Sequence, residues 1–309
     1  MRAIYRLSAL AAPSALLACS SVVPESAERT ETVQPIARAA PAPAPMPAPT
    51  PTPQPVQGPT TFIYDGELTQ GGWIRGQAPG GTRTARLGET ELALDAEGRF
   101  FAAFDRDAPG STQLVAELAD GRRIASPVTV SPRDWNIERV NIARRAGGAS
   151  ESFMRRRQPE LDAIWNARLQ ETGSQGWRQD FVWPVTGRIS GRFGSQRIYR
   201  GEPGSYHSGI DIAPGNGVPF VAPADGVVVL AVTNFSLEGQ LLIVDHGQGL
   251  NSAFLHASRL VVSEGDRVRQ GQHIGNVGAS GRATGPHLHW SLKWRDARLD
   301  PLLFTGPMG

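Results

Sequence analysis

The chain has 309 residues, 40% of them hydrophobic, with 31 lysines and arginines against 29 acids. That length allows about two domains, and a net charge of +2 is too small to argue for nucleic acid as a partner. Cys19 is the sole cysteine, which excludes disulfides within the chain. Arginine is scattered along the whole sequence and Lys293 is the only lysine, a composition bias without functional weight.

Residues 1–18 read as an export signal. Arg2 and Arg6 precede an apolar stretch from Leu7 to Ala18 that is too short to span a bilayer. Cys19 follows directly, and Leu16-Leu17-Ala18-Cys19 resembles a bacterial lipoprotein signal. The resemblance implies that Cys19 is acylated, becomes the mature N-terminus and anchors the protein to a membrane, several acyl chains holding where one would not. Ser20 and Ser21 after the cysteine, in place of an aspartate, imply a periplasmic protein on the outer membrane. Residues 19–59 form the stalk of that anchor. From Pro41 to Pro55 every second residue is proline, which favours a polyproline II spacer rising about 3.1 Å per residue.

Residues 60–133 carry brief β-rich runs, TFIY, GWIRG, TARL, LALD, FFAAF, QLVAEL and PVTV, separated by turns such as Ala78-Pro79-Gly80-Gly81 and Asp120-Gly121. This pattern predicts a small β-sandwich. It holds no cluster of His, Asp, Glu or Ser suited to catalysis, which points to a binding or spacer module. Residues 134–178 read as a helical connector. Pro159 is placed to open a helix at its first turn, Leu161, Ile164, Trp165 and Leu169 recur on one face, and Gly173 is a stop. The three arginines after Met154, Arg155 to Arg157, read as a solvated helix face. Residues 179–304 read as an all-β domain, with strand-like runs at Val227–Leu230, Leu241–Val244, Asn251–Leu255, His273–Val277 and His287–Trp294. The chain as a whole is predicted to be mostly β.

The chemistry concentrates in that last region. Of six histidines, four sit in three short motifs: His207 with Asp211 in YHSGID, His256 in FLHAS, and His287 and His289 in GPHLHW. On an extended strand alternate side chains share a face, so His287 and His289 look into one site while Leu288 and Trp290 turn into packing. Two imidazoles and a carboxylate make a zinc set with one corner open for water, and further histidines beside it suit acid–base work. On a straight strand His207 and Asp211 would lie about 13 Å apart, so the backbone must bend, with Ser208-Gly209 the plausible place. His246 and His273 read as turn or surface histidines.

These motifs resemble the lysostaphin-type (LytM-type) zinc peptidases that cut peptidoglycan peptides, as do FVWPVTGRISGRFG (from Phe181), VPFVAPADGVV (from Val218), LIVDHGQGL (from Leu242) and VSEGDRVRQGQHIG (from Val262). The resemblance covers roughly 183–303. It implies a C-terminal antiparallel β-sheet peptidase domain over residues 179–304, with Zn²⁺ held by His207, Asp211 and His289. It implies His256 and His287 as the catalytic pair, and peptide cross-links of peptidoglycan as the substrate. Relatives often place a tyrosine near the first histidine to hold the oxyanion; Tyr199 and Tyr206 are near but out of register. The alternatives are a metal-free LytM-type activator of cell-wall amidases and a wall-binding structural lipoprotein. Members of the activator class generally lose zinc ligands, and this chain keeps all of them. No divisome or envelope regulator is readable as a partner.

Overall fold

The computed structural model describes residues 58–143 and 150–308, which fall within one compact unit, Gln54–Gly309. The expected export signal, Cys19 and the proline-rich run lie outside the described residues. No helix among the described residues is long and apolar enough to cross a membrane.

The first region supplies β1 (Ile63–Gly66), β2 (Trp73–Gln77), β3 (Thr82–Leu87), β4 (Thr90–Glu91), β5 (Arg99–Ala103), β6 (Ser111–Leu118) and β7 (Arg123–Thr129). They form two antiparallel sheets, β1-β2-β5 and β4-β3-β6-β7, around Phe62, Ile74, Phe100 and Leu114. Of the predicted runs, LALD is not a strand. The Asp95 carboxylate accepts hydrogen bonds from the backbone of Glu97 (2.9 Å) and Arg99 (2.8 Å), turning the chain there.

The connector opens on a strand, β8 (Ile137–Val140), which runs parallel to β10 (Gln196–Tyr199), itself paired with β11 (Glu202–Pro203). Helix α1 (Glu151–Arg168) starts at Ser150, whose hydroxyl accepts from the Phe153 amide at 3.2 Å. Pro159 therefore lies inside α1 and does not open it. The expected apolar stripe is also displaced. Leu161, Trp165 and Leu169 stay exposed, and the buried side chains are Arg157, Glu160 and Ala167. Ile164 alone of the predicted face packs on the sheet, while Trp165 and Leu169 line an open cleft of about 520 Å³ that Phe104 and Lys293 also border.

The C-terminal region contributes a 3₁₀ turn (Gly176–Arg178), then β9 (Arg188–Gly191), β12 (Ile210–Ala213), β13 (Pro219–Val221), β14 (Gly226–Phe235), β15 (Gly239–Gly247), β16 (Leu250–Ala257), β17 (Arg259–Leu260), β18 (Arg267–Val268), β19 (His273–Asn276), β20 (Leu288–Trp294), β21 (Ala297–Leu299) and α2 (Leu302–Thr305). The main sheet is ordered β18-β14-β15-β16-β20-β12-β9, with β21 on β20; β13-β19-β17 form a small second sheet.

Register assigns the two faces of the main sheet. Asp211 faces His289, His289 faces Leu255, and the same face continues through Ala253 and Ile243. Ala253 and Ile243 belong to the apolar patch that Ala167 of α1 covers, so α1 lies on the sheet face that carries the histidines. The opposite face, with Ile210, Ile212, Phe254, Leu288 and Trp290, is fully buried, as the alternation of β20 predicts. This core runs without a break into the first β-region. Phe181, Phe304 and Trp73 carry it across, with ring centroids 5.3 Å and 5.4 Å apart in succession. Burial on this scale stabilises by about 25 cal/mol per Å² of apolar surface.

Candidate metal centre

Three donors converge where β12 meets β20. His207 Nε2 lies 3.0 Å from Asp211 Oδ1, His289 Nδ1 lies 2.8 Å from the same oxygen, and the two ring nitrogens are 3.1 Å apart. The strand register creates half of this, since Asp211 and His289 are direct cross-strand partners. His207 comes from the preceding turn, where its amide donates to Ser195 (2.8 Å) and its carbonyl accepts from Gly194 (2.9 Å).

The expected bend between His207 and Asp211 is present, but Gly209 serves it through clearance; its φ is not in the left-handed region. A Cβ there would stand 2.5 Å from the Trp290 carbonyl and 2.8 Å from His289 Nε2. Gly191, on the other side of β12, is equally constrained, because a Cβ would meet Asp211 Oδ2 at 2.4 Å. Close approach of three strands around one carboxylate requires these two bare positions.

Charge in the cluster is arranged for a cation. Burial alone would push the Asp211 carboxyl up, but hydrogen bonds from His207 and His289 outweigh it and hold Asp211 well below the usual carboxylate range. Burial pushes the His289 imidazole down. For His207, burial acts downward but the Asp211 carboxylate outweighs it and raises the ring. The Arg192 carbonyl accepts from His207 Nδ1–H (3.1 Å), which fixes the ring and turns Nε2 toward Asp211. Two ring nitrogens and one carboxylate oxygen gathered at one point fit a metal, which on binding displaces the protons they share. Ligands at about 2.0–2.1 Å from a tetrahedral zinc stand roughly 3.3 Å apart, close to the spacings here.

Two further imidazoles flank the trio. His256 donates Nδ1–H to the Ser280 carbonyl (2.9 Å), and His287 donates Nδ1–H to the Gly285 carbonyl (2.8 Å). Nδ1 of each ring is thereby committed, leaving Nε2 as the nitrogen without a protein partner, and the His287 Nε2 lies 3.8 Å from Asp211 Oδ1. Their rings are 4.9 Å apart. Burial pushes the His256 imidazole down, against its bond to Ser280. His256 also holds a left-handed backbone, φ 66°, unusual outside glycine.

All five sequence-derived residues are thus brought together. Residues 205–301 match peptidase family M23.

The C-terminal region is a peptidase family M23 domain.

The M23-bearing chain is 36% identical over 125 residues to the peptidoglycan DD-endopeptidase ShyA of Vibrio cholerae, a match covering 39% of this chain and 28% of that protein. It is 36% identical over 129 residues to the lipoprotein NlpD/LppB homolog of Pseudomonas aeruginosa, covering 42% of this chain and 39% of that protein. The chain therefore spans well under half the length of these relatives. A crystal structure assigned to peptidase M23 from Pseudomonas aeruginosa is 27% identical, covers 78% of this chain and 96% of that one, and superposes with a TM-score of 0.61. That likeness extends well beyond residues 205–301, into the region before the M23 domain.

Other residues fall differently from their sequence expectation. His246 is fully buried, not at a turn or surface. Its Nδ1–H donates to the Asp225 carbonyl (2.8 Å) and its Nε2 accepts from Ser252 (2.7 Å), a satisfied core histidine. His273 is exposed, as expected. The Tyr206 hydroxyl accepts from Arg298 (3.2 Å), and its ring is covered by the Arg106 guanidinium 4.5 Å away. Arg157 and Glu160, read as solvated connector positions or not singled out, are buried and charged. Only a charged pair at helical spacing, i and i+3, marked them in the sequence.

Proposed function

We propose that the M23 domain is a zinc-dependent endopeptidase that hydrolyses peptide cross-links of peptidoglycan. The observation that carries this reading is the convergence of His207 Nε2, Asp211 Oδ1 and His289 Nδ1 within 3.1 Å of one another, beside two imidazoles with free Nε2 atoms. The printed name of the ShyA relative supports the substrate class. His207, Asp211 and His289 would hold the ion, which when bound lowers the pKa of a water towards 7 and polarises a carbonyl.

The remaining work belongs to His256 and His287. With Nδ1 protons tied to the Ser280 and Gly285 carbonyls, each presents Nε2 as base. One takes the proton of the attacking water and returns it to the leaving amine; the other, once protonated, donates to the developing oxyanion. The low position of the His256 imidazole suits a base that is neutral at neutral pH. The proposed setting is the periplasmic side of an outer membrane, reached through an acylated Cys19, and the NlpD/LppB relative's printed description as a lipoprotein supports it.

The test is metal content of the purified protein together with release of peptides from purified sacculi. About one zinc per chain and soluble muropeptide products are expected. Protein that stays metal-free when refolded with zinc defeats the enzyme reading and leaves amidase activation or wall binding as the function.

A further inference from the structure

We infer that Arg157 of α1 is a positioning residue for His256, acting through the tip of the β14–β15 hairpin. The inference rests on the reading of His256 as a catalytic base, and its chain of contacts is continuous. The His256 amide donates to the Glu238 carbonyl at 2.9 Å, and His256 Nδ1–H donates to the Ser280 carbonyl at 2.9 Å. The hairpin tip and the Ser280 loop are themselves joined: the Gln240 amide donates to Ser280 Oγ (2.8 Å), and the Arg282 amide donates to the Leu237 carbonyl (2.9 Å). His256, with its left-handed backbone, is gripped between them.

The tip is in turn carried by the helix. Arg157 donates two parallel hydrogen bonds to the Glu238 carboxylate, both 2.6 Å, and a third to Glu160 Oε2 at 2.8 Å. Glu160 accepts from the Ser236 amide (2.8 Å) and hydroxyl (2.6 Å). Arg157, Glu160 and Glu238 side chains are 8%, 10% and 14% exposed. A bidentate guanidinium–carboxylate pair fixes orientation as well as distance, and its low exposure removes most screening by water. Nothing else among the described residues pairs with the Glu238 carboxylate. The residue that orients the tip therefore lies outside the stretch 205–301, in a helix that the M23 match does not include.

The experiment uses the full chain loaded with zinc. Arg157→Met should lower kcat on cross-linked muropeptides by about 10- to 100-fold, the range for a catalytic group displaced by about an ångström, with KM and zinc content unchanged. Arg157→Lys, which keeps charge but loses the parallel pair, should recover part of the loss. In parallel, ¹⁵N-correlated NMR of the His256 ring should show a single Nδ1–H tautomer in wild type and a mixture in Arg157→Met. If Arg157→Met does not fold, Glu238→Gln carries the same measurements, since it keeps the shape and weakens the pair. Retained kcat with the wild-type tautomer overturns the inference, as does a loss confined to KM or accompanied by loss of zinc. The tautomer readout stands even if the wild-type protein cleaves nothing, which separates failure of this inference from failure of the peptidase reading.

Discussion

The two β-rich regions have similar short strands and continuous apolar packing, yet they differ in what they bury. In the strands of the first region the buried side chains are apolar; its buried charge, Arg106, lies beyond β5 and reaches outward to the Gly194 carbonyl (3.1 Å) and Gln196 (3.2 Å) of the neighbouring region. The M23 domain buries Asp245, His246, Asn251, Ser252 and His256 within its own sheet, each with a fixed polar partner. Burying polar groups costs free energy unless they are paired, and a domain accepts that cost where chemistry needs oriented groups in a shielded site. The first region instead touches the site indirectly, through one buried charge. Gly194, which Arg106 holds by its carbonyl, donates its amide to His207.

The contrast should break most severely at the three residues proposed to hold the metal. His207→Ala, Asp211→Ala and His289→Ala should each lose zinc and all peptide release, checked by elemental analysis and sacculus digestion. Next come His256→Ala and His287→Ala, which should keep zinc and lose cleavage by about 10²–10⁴-fold. Loss of zinc in step with activity in either variant would reassign the ligand set.

Arg106→Ala tests that contact from the other side. It strips a donor from the buried Gly194 carbonyl, at about 1–3 kcal/mol, so the urea midpoint should fall. Loosening the His207 turn should also weaken zinc affinity by about 10-fold, at the lower end of what outer-shell changes cost. Unchanged zinc affinity would confine the first region to stability alone.

A smaller effect concerns pH. Burial pushes the His246 imidazole below 6.5 in the fold. The unfolded chain takes up that proton near its ordinary pKa while the folded one excludes it, so stability is full above about 6.5 and falls as pH drops below it, by up to about 1.4 kcal/mol per unit. Urea midpoints of chelator-stripped protein should show this slope, and His246→Gln should make it shallower, the lowered His256 and His289 imidazoles keeping the rest. Least effect on the chemistry is expected from Cys19→Ala, which should abolish fatty-acid labelling in cells while leaving the purified protein's cleavage intact. An unlabelled wild-type protein would remove the anchor from the proposal.

What the sequence determined by itself follows from local rules. HLH on a strand needed only the two-residue period of β-structure to place His287 and His289 together, and the brief runs between glycine-rich turns read correctly as strands, apart from LALD, where an aspartate-centred turn replaced pairing. The apolar period misjudged α1, because it weighs side chains by hydrophobicity while the seat of α1 is set by partners far along the chain. Arg157 is buried because Glu238, 81 residues away, meets it. Leu161, Trp165 and Leu169 stay exposed, because the helix face that meets the sheet is the one carrying Ala167 and Ile164. His246 likewise read as a turn or surface residue, whereas folding brings the Asp225 carbonyl and the Ser252 hydroxyl to its two nitrogens. Local spacing fixes which side chains share a face. Only the tertiary structure decides which buried polar group finds a partner, since that depends on contacts between residues with no sequence relation to one another.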